Sequence, residues 1–241
     1  MLRAYSKNTD SQLSNLIIAM FEPIVLSIKV ATLATIIAFF FGVLFAYLMT
    51  KKNIPGKSIW ETLLTLPLIL PPSIVGYLLL KVFGKRGPIG AFLLDTFGVQ
   101  VVFTWIACVI AATVVALPLM YQNAKGAFQT VDSTYELAAR TLGSSPFKVF
   151  LTVTFPLSRP GIISGIILTF ARAMGEFGAT LMLAGNIPGK TQTIPTAIYY
   201  ATVTGKDAEA NTLVIIMIIF CFALVLGLNA WLKKKNYGGI Y

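Results

Sequence analysis

Histidine is absent from this 241-residue sequence, and cysteine occurs only at Cys108 and Cys221. Both cysteines lie inside apolar runs, where a thiol behaves as a small packed hydrophobe. A disulfide framework and a Cys/His metal site are thereby set aside. Acid is scarce as well, with nine Asp and Glu against nineteen Lys and Arg. Glu176 is the clearest acid within an apolar run, and no paired carboxylates or nucleophile with a base stand out. The sequence therefore argues against a membrane enzyme, and no cofactor is expected. Charged residues make up only 12% of the chain, against roughly 25% in soluble domains. The net charge of +10 invites a nucleic-acid reading. It fails because the basic residues fall between apolar spans, not on a soluble basic face. The first 23 residues hold a short apolar run without a small-residue cleavage site, so no signal peptide is expected.

What the chain has instead is apolar length. Hydrophobic residues make up 56% of it, and mean hydropathy is +0.80. A helix crosses the hydrocarbon with about 20 apolar residues. Five segments qualify, at about 23–50, 59–83, 99–121, 160–183 and 211–232. The expected fold class is an all-α integral membrane protein with one membrane domain. Loops on one side hold ten Lys and Arg, including Lys51, Lys52, Lys125, Arg159 and Lys233 to Lys235, against seven on the other, including Arg3, Lys7, Lys81 and Lys190. By the positive-inside rule the N-terminus lies outside and the C-terminus in the cytoplasm. The second span contains "LPLILPPSIVG", with Pro67, Pro71 and Pro72. Prolines there bend or break a helix, as a packed kink or as part of a gate.

Between the third and fourth spans lies "TYELAARTLGSSPFKVFLTVTFPLSRP". Residues 135–142 are good helix formers, with Glu136 in the first turn. Gly143 ends that helix, and Ser144 or Ser145 with Pro146 starts a second. Phe147, Phe150 or Leu151, and Phe155 fall on one side of it, and Pro156 and Pro160 end the segment before the fourth span. The expectation is a cytoplasmic helical hairpin over 134–156, apolar on one face and basic at Arg140 and Lys148. It either folds back on its own chain or lipid, or it docks a partner.

This stretch resembles the cytoplasmic loop motif of ATP-binding-cassette importer permeases, with Ala138, Ala139, Gly143, Val153, Phe155 and Pro156 at the motif positions. Leu137 stands where the motif has Glu, Glu136 sits one residue earlier, and Phe155 replaces a Leu. The stretches "LPLILPPSIVGYLLL", "FPLSRPGIISG", "ARAMGEFGAT" and "GNIPGKTQTIPTAIY" extend the resemblance over about 24–232. They are similar to the permease subunits of molybdate importers and, around "RAMGEFGA", to sulfate and tungstate permeases. The resemblance implies a type I importer fold in the cell membrane. It also implies a homodimer, two ATPase subunits gripping the hairpins, and an extracytoplasmic protein that delivers an oxyanion, molybdate before sulfate or tungstate. Glu136, Ala138, Ala139, Arg140, Gly143 and Pro156 would then serve coupling to the ATPase. An ATPase-independent channel or secondary anion transporter is the rival reading, although no inverted repeat is apparent.

The fourth span carries Arg172 and Glu176, four apart and so on one helix face. They are either a mutually neutralising pair or part of an anion path. Ala171, Gly175 and Gly178 suit close helix packing near that path, and Pro71 and Pro72 suit a gate. "GNIPGKT" imitates a phosphate-binding loop but has three residues, not four, between Gly185 and Gly189. ATP is therefore expected on another chain. The outer loops, about 84–98 and 184–210, carry basic residues and a stretch around Tyr199 and Tyr200 suited to a short interfacial helix.

Overall fold

The computed structural model describes the backbone of residues 2–51 and 54–237 and the side chains of 21–51 and 54–233. Arg3, Lys7, Lys52, Lys234 and Lys235, counted above for orientation, have side chains outside the described residues. Every regular element among the described residues is helical, as the apolar runs require. Helix α1 spans Leu2–Lys51 and ends on a lysine that complements its dipole. α5 spans Trp105–Gln129 and α11 spans Asp207–Tyr237.

The expected second span is broken in two. Helix α2, Lys57–Ile69, carries Pro67 inside it and stops at Leu70, whose backbone is extended. α3, Pro72–Phe83, begins two residues later. Leu70 precedes Pro71, and a residue before proline is pushed out of the helical region. Pro72 then suits the first turn of α3 because its missing N–H is not needed there. Among the described residues four helices are long and apolar enough to cross a membrane, or five segments if α2 and α3 make one broken span. The outer loop expected at 84–98 contains helix α4, Pro88–Phe97, opened by a proline and closed at Gly98. It is too short to span. The third span starts at Trp105, not near 99, and runs on to Gln129, so Lys125 lies within a helix.

After α5 comes α6, Ser133–Thr141, and then α7, Pro146–Val149. Pro156 and Pro160 do not end the hairpin: α7 passes through a π-helical turn, Phe150–Thr154, directly into α8, Phe155–Met174. In a regular helix the Pro156 ring would press on the carbonyl four residues back. The π turn widens the ladder just before it, with the Phe155 N–H bonded to the Phe150 carbonyl. The fourth span also stops short, at Met174. Helix α9, Gly178–Ala184, and helix α10, Ile194–Val203, complete the set.

The chain divides into two compact units whose boundaries fall inside α1, α5 and α11, between α2 and α3, and at the end of α8. In the unit of Met1–Leu33, Pro72–Ala112 and Met174–Cys221, α3 packs on α9. There the Lys29 ammonium stacks 3.7 Å from the Trp105 ring centroid, which satisfies a cation inside an apolar helix. The Ile194 N–H donates to Ser27 Oγ at 2.8 Å, tying α10 to α1. In the unit of Ala34–Pro71, Thr113–Ala173 and Phe222–Tyr241, the core is Ala38, Ala46, Met120, Tyr121, Phe128 and Ile162. Small residues on α1 let α5 approach closely there. On α11, Ile218, Ile219 and Phe222 remain exposed, the pattern of a helix facing lipid.

Candidate functional site

The hairpin is built by local capping signals. Asp132 accepts from the Thr134 N–H at 2.8 Å and caps α6. That bond holds its carboxyl below the usual range. At the other end Gly143 adopts φ +82°. The Ser144 N–H bonds to the Ala139 carbonyl and the Gly143 N–H to that of Arg140. This is a Schellman closure, which needs a left-handed residue and favours glycine. A Cβ at Gly143 would meet nothing within 4 Å, so the demand is conformational and not one of space. Of the two serines offered by the sequence, Ser145 is the cap of α7, accepting from the Lys148 N–H at 3.3 Å.

The apolar residues of the hairpin divide between two faces. Phe150 and Phe155 turn inward. Phe150 lies with its ring centroid 4.6 Å from Tyr47, 5.8 Å from Phe128 and 5.9 Å from Phe155. Leu137, Leu142 and Phe147 point outward and are 60%, 86% and 70% exposed, joined by Leu151. Phe147 and Leu151 therefore share a face that Phe150 and Phe155 do not, which corrects the single face expected from the sequence. Ala138, Arg140 and Lys148 are exposed beside this surface, Ala139 is half-buried, and Pro156 is half-buried at the start of α8.

Glu136 does not belong to the exposed surface. It is only 7% exposed. The Lys51 Nζ lies 2.7 Å from Glu136 Oε1 and 2.8 Å from Oε2, and the Thr154 hydroxyl donates to Oε1 at 2.7 Å. Burial pushes this carboxyl up, but the bonds from Lys51 and Thr154 and the charges of Lys51 and Arg140 outweigh it and hold it below the usual range. A lysine at the end of α1 and a threonine in the π turn were invisible as partners in the sequence. They lie 85 and 18 residues away, beyond any helical spacing.

The residues singled out in the fourth span are distributed differently from expectation. Arg172 sits half-buried in the last turn of α8. The helix then breaks at 175–177, so Glu176 lies beyond the end of α8 and not on one continuous helix with Arg172. Gly175 is exposed in the break. Glu176, 3% exposed, accepts from the Ala179 N–H at 2.8 Å and so caps α9. Gly178 and Pro72 are brought together: a Cβ at Gly178 would lie 2.9 Å from the Pro72 Cβ. One turn along α3, a Cβ at Gly76 would lie 2.7 Å from the Met182 Cβ and 2.9 Å from the Ala179 Cα. Gly76, unremarked in the sequence, is the second contact of this junction. Pro71 lies at the exposed α2–α3 break.

Two further features bear on function. Lys125 pairs with Glu61 at 2.7 Å beside a cavity of about 490 Å³ lined by Ser58, Thr62, Thr65 and Gln122. In "GNIPGKT" the N–H groups of Lys190, Thr191 and Gln192 all point at the Ile187 carbonyl. Donors that a phosphate cradle would present are already engaged. Among the described residues no three His, Cys, Asp or Glu side chains gather as a metal site would need.

Comparison with known proteins places this architecture. Residues 38–236 match the family of binding-protein-dependent transport system inner membrane components. The chain is 45% identical over 214 residues to the molybdenum transport system permease protein ModB of Escherichia coli strain K12, covering 88% of this chain and 93% of that protein. It is 40% identical over 211 residues to ModB of Haemophilus influenzae, covering 87% and 92%. Its fold is that of a chain in the bacterial alginate ABC transporter complexed with an alginate-bound periplasmic protein. That match has a TM-score of 0.67 and 15% identity, with 89% of this chain and 78% of that one covered. By sequence and by fold, this chain belongs to the binding-protein-dependent transport system inner membrane components, as a multi-pass permease subunit.

Proposed function

We propose that the chain forms the membrane pathway of a molybdate importer driven by ATP hydrolysis on a separate subunit. The observation that carries this reading is the outward face of the hairpin. Leu137, Leu142, Phe147 and Leu151 stand exposed on a short, fully capped element, flanked by the cations Arg140 and Lys148. Such an exposed apolar patch beside cations suits a protein partner. The molybdate assignment rests on the ModB relatives, which match nearly end to end.

In this reading two copies enclose the pathway, each hairpin sits in a cleft of one ATPase subunit, and an extracytoplasmic binding protein delivers the anion. The chain works as one domain and crosses five times, with α2 and α3 together making one crossing. The N-terminus lies outside, and the hairpin and C-terminus face the cytoplasm. ATP acts through its different affinity for two arrangements of the assembly. Ala138, Ala139, Arg140 and Gly143 belong to the docked surface, and Pro156 to the joint that carries its movement into α8. Arg172 and Glu176 serve the anion path, and Pro71, Pro72, Gly175 and Gly178 the gate beside it.

The test is molybdate uptake into vesicles containing the chain, its ATPase and its binding protein, with tungstate and sulfate as competitors. Uptake is expected to require ATP and the binding protein. Arg172→Ala and Glu176→Gln are expected to lower uptake while still co-purifying with the ATPase. Uptake by this chain alone on an ion gradient would overturn the reading.

A further inference from the structure

Docking accounts for the outward face of the hairpin but leaves its inward side unexplained. Three elements meet there on one carboxylate: the end of α1 through Lys51, α6 through Glu136, and the π turn through Thr154. We propose that Glu136 is a positioning residue, a clamp that makes the hairpin and the end of α1 move as one piece when the ATPase moves. This rests on the reading of the hairpin as the docking element.

The neighbouring geometry shows why a clamp is needed. α7 has four residues and runs into a π turn of five, where the regular ladder is interrupted. Interruptions of this kind are where helices bend. α6 has nine residues and turns Leu137 and Ala138 outward. The aromatic layer of Tyr47, Phe128, Phe150 and Phe155 attracts the hairpin, but apolar burial has no direction. Directed bonds come from the carboxylate. Lys51 bridges both its oxygens, and Thr154 adds a donor to one, all within 2.8 Å. A pull on α6 would therefore be shared between α1 and α8 and would not be lost as a swivel about the π turn.

Leu137, one residue on, is exposed. The acid of this hairpin is thus turned into the chain's own structure, and the docked surface is apolar and cationic. A docking role and a clamping role for Glu136 make opposite forecasts. Loss of a docking contact weakens association with the ATPase. Loss of a clamp leaves association intact and wastes hydrolysis.

The experiment uses the reconstituted complex with its ATPase and binding protein. It measures ATPase affinity and molybdate delivered per ATP hydrolysed. Glu136→Gln keeps the shape and an acceptor for Thr154 but removes the ion pair. The clamp predicts wild-type affinity and a ratio lowered roughly five-fold or more, the scale of a coupling free energy. The exchange Lys51→Glu with Glu136→Lys is expected to recover more of the ratio than either single change. An unchanged ratio in Glu136→Gln, a lowered ATPase affinity, or an exchange no better than its parts would overturn the clamp. Should Glu136→Gln fail to assemble, Thr154→Val keeps the ion pair and removes one donor. A lowered ratio there supports the proposal, and an unchanged one overturns it. The docking premise is read separately. If Leu142→Glu binds the ATPase with wild-type affinity, that premise fails and the clamp with it.

Discussion

Two helix–break–helix segments in this chain are broken by different physics. At 142–145 the chain turns because Gly143 takes a left-handed conformation, Ser145 caps the next helix, and nothing packs on the glycine. At 175–177 no proline intervenes, and Gly175 does not take positive φ. Helix α9 holds that break in place. Glu176 caps α9, and α9 presses on α3 at Gly178 and Gly76. One break is written in local backbone preference, the other in tertiary contact. On the proposed reading, a turn that meets a partner is best made without help from neighbours, whereas a junction within a membrane would need neighbours to satisfy its freed backbone.

The sharpest way to break the comparison is to add side-chain bulk at both places. Gly76→Val drives its Cβ into the Ala179 backbone and the Met182 Cβ, so a loss of about 3 kcal/mol is expected from overpacking, read as thermal stability in detergent. Gly143→Ala meets no atom and is expected to cost about 1 kcal/mol, from the left-handed backbone alone. Gly143→Asn should cost less, because asparagine tolerates that region. Equal losses at the two sites would erase the distinction.

These differences explain how much was legible. The hairpin could be read because caps, Gly143 and Pro146 act within a few residues. The two faces of α7 and the π turn that continues it could not, since Phe150 and Leu151 are adjacent and only the ring cluster around Tyr47 decides which turns inward. Pro156 and Pro160 misled because proline commonly signals a helix end; a π turn accommodates Pro156, and Pro160 is carried inside α8. The fourth span read as continuous because "RAMGEFGATLM" is apolar with no breaker except glycine. Its interruption depends on α3, far upstream in the chain. Pro71 and Pro72, by contrast, marked the break of the second span correctly, because a proline constrains the residue before it whatever lies nearby.

The smallest expected effect is a pH dependence that belongs to the inward side of the hairpin. Glu136 titrates below its ordinary value of 4.5 in the folded chain. Its contribution to stability is therefore complete above that value and is lost as pH falls through the depressed one. Thermal stability of the wild type should decline more steeply below pH 4.5 than that of Glu136→Gln. Parallel curves would contradict the bonding described for Lys51 and Thr154.

A photo-crosslinking side chain at Leu142 asks whether the exposed end of the hairpin is held by a separate ATPase. In membranes carrying the full importer, the account predicts crosslinks to the ATPase subunit whose yield changes with ATP. Crosslinks only to lipid or to this chain itself, with molybdate uptake intact, would contradict it.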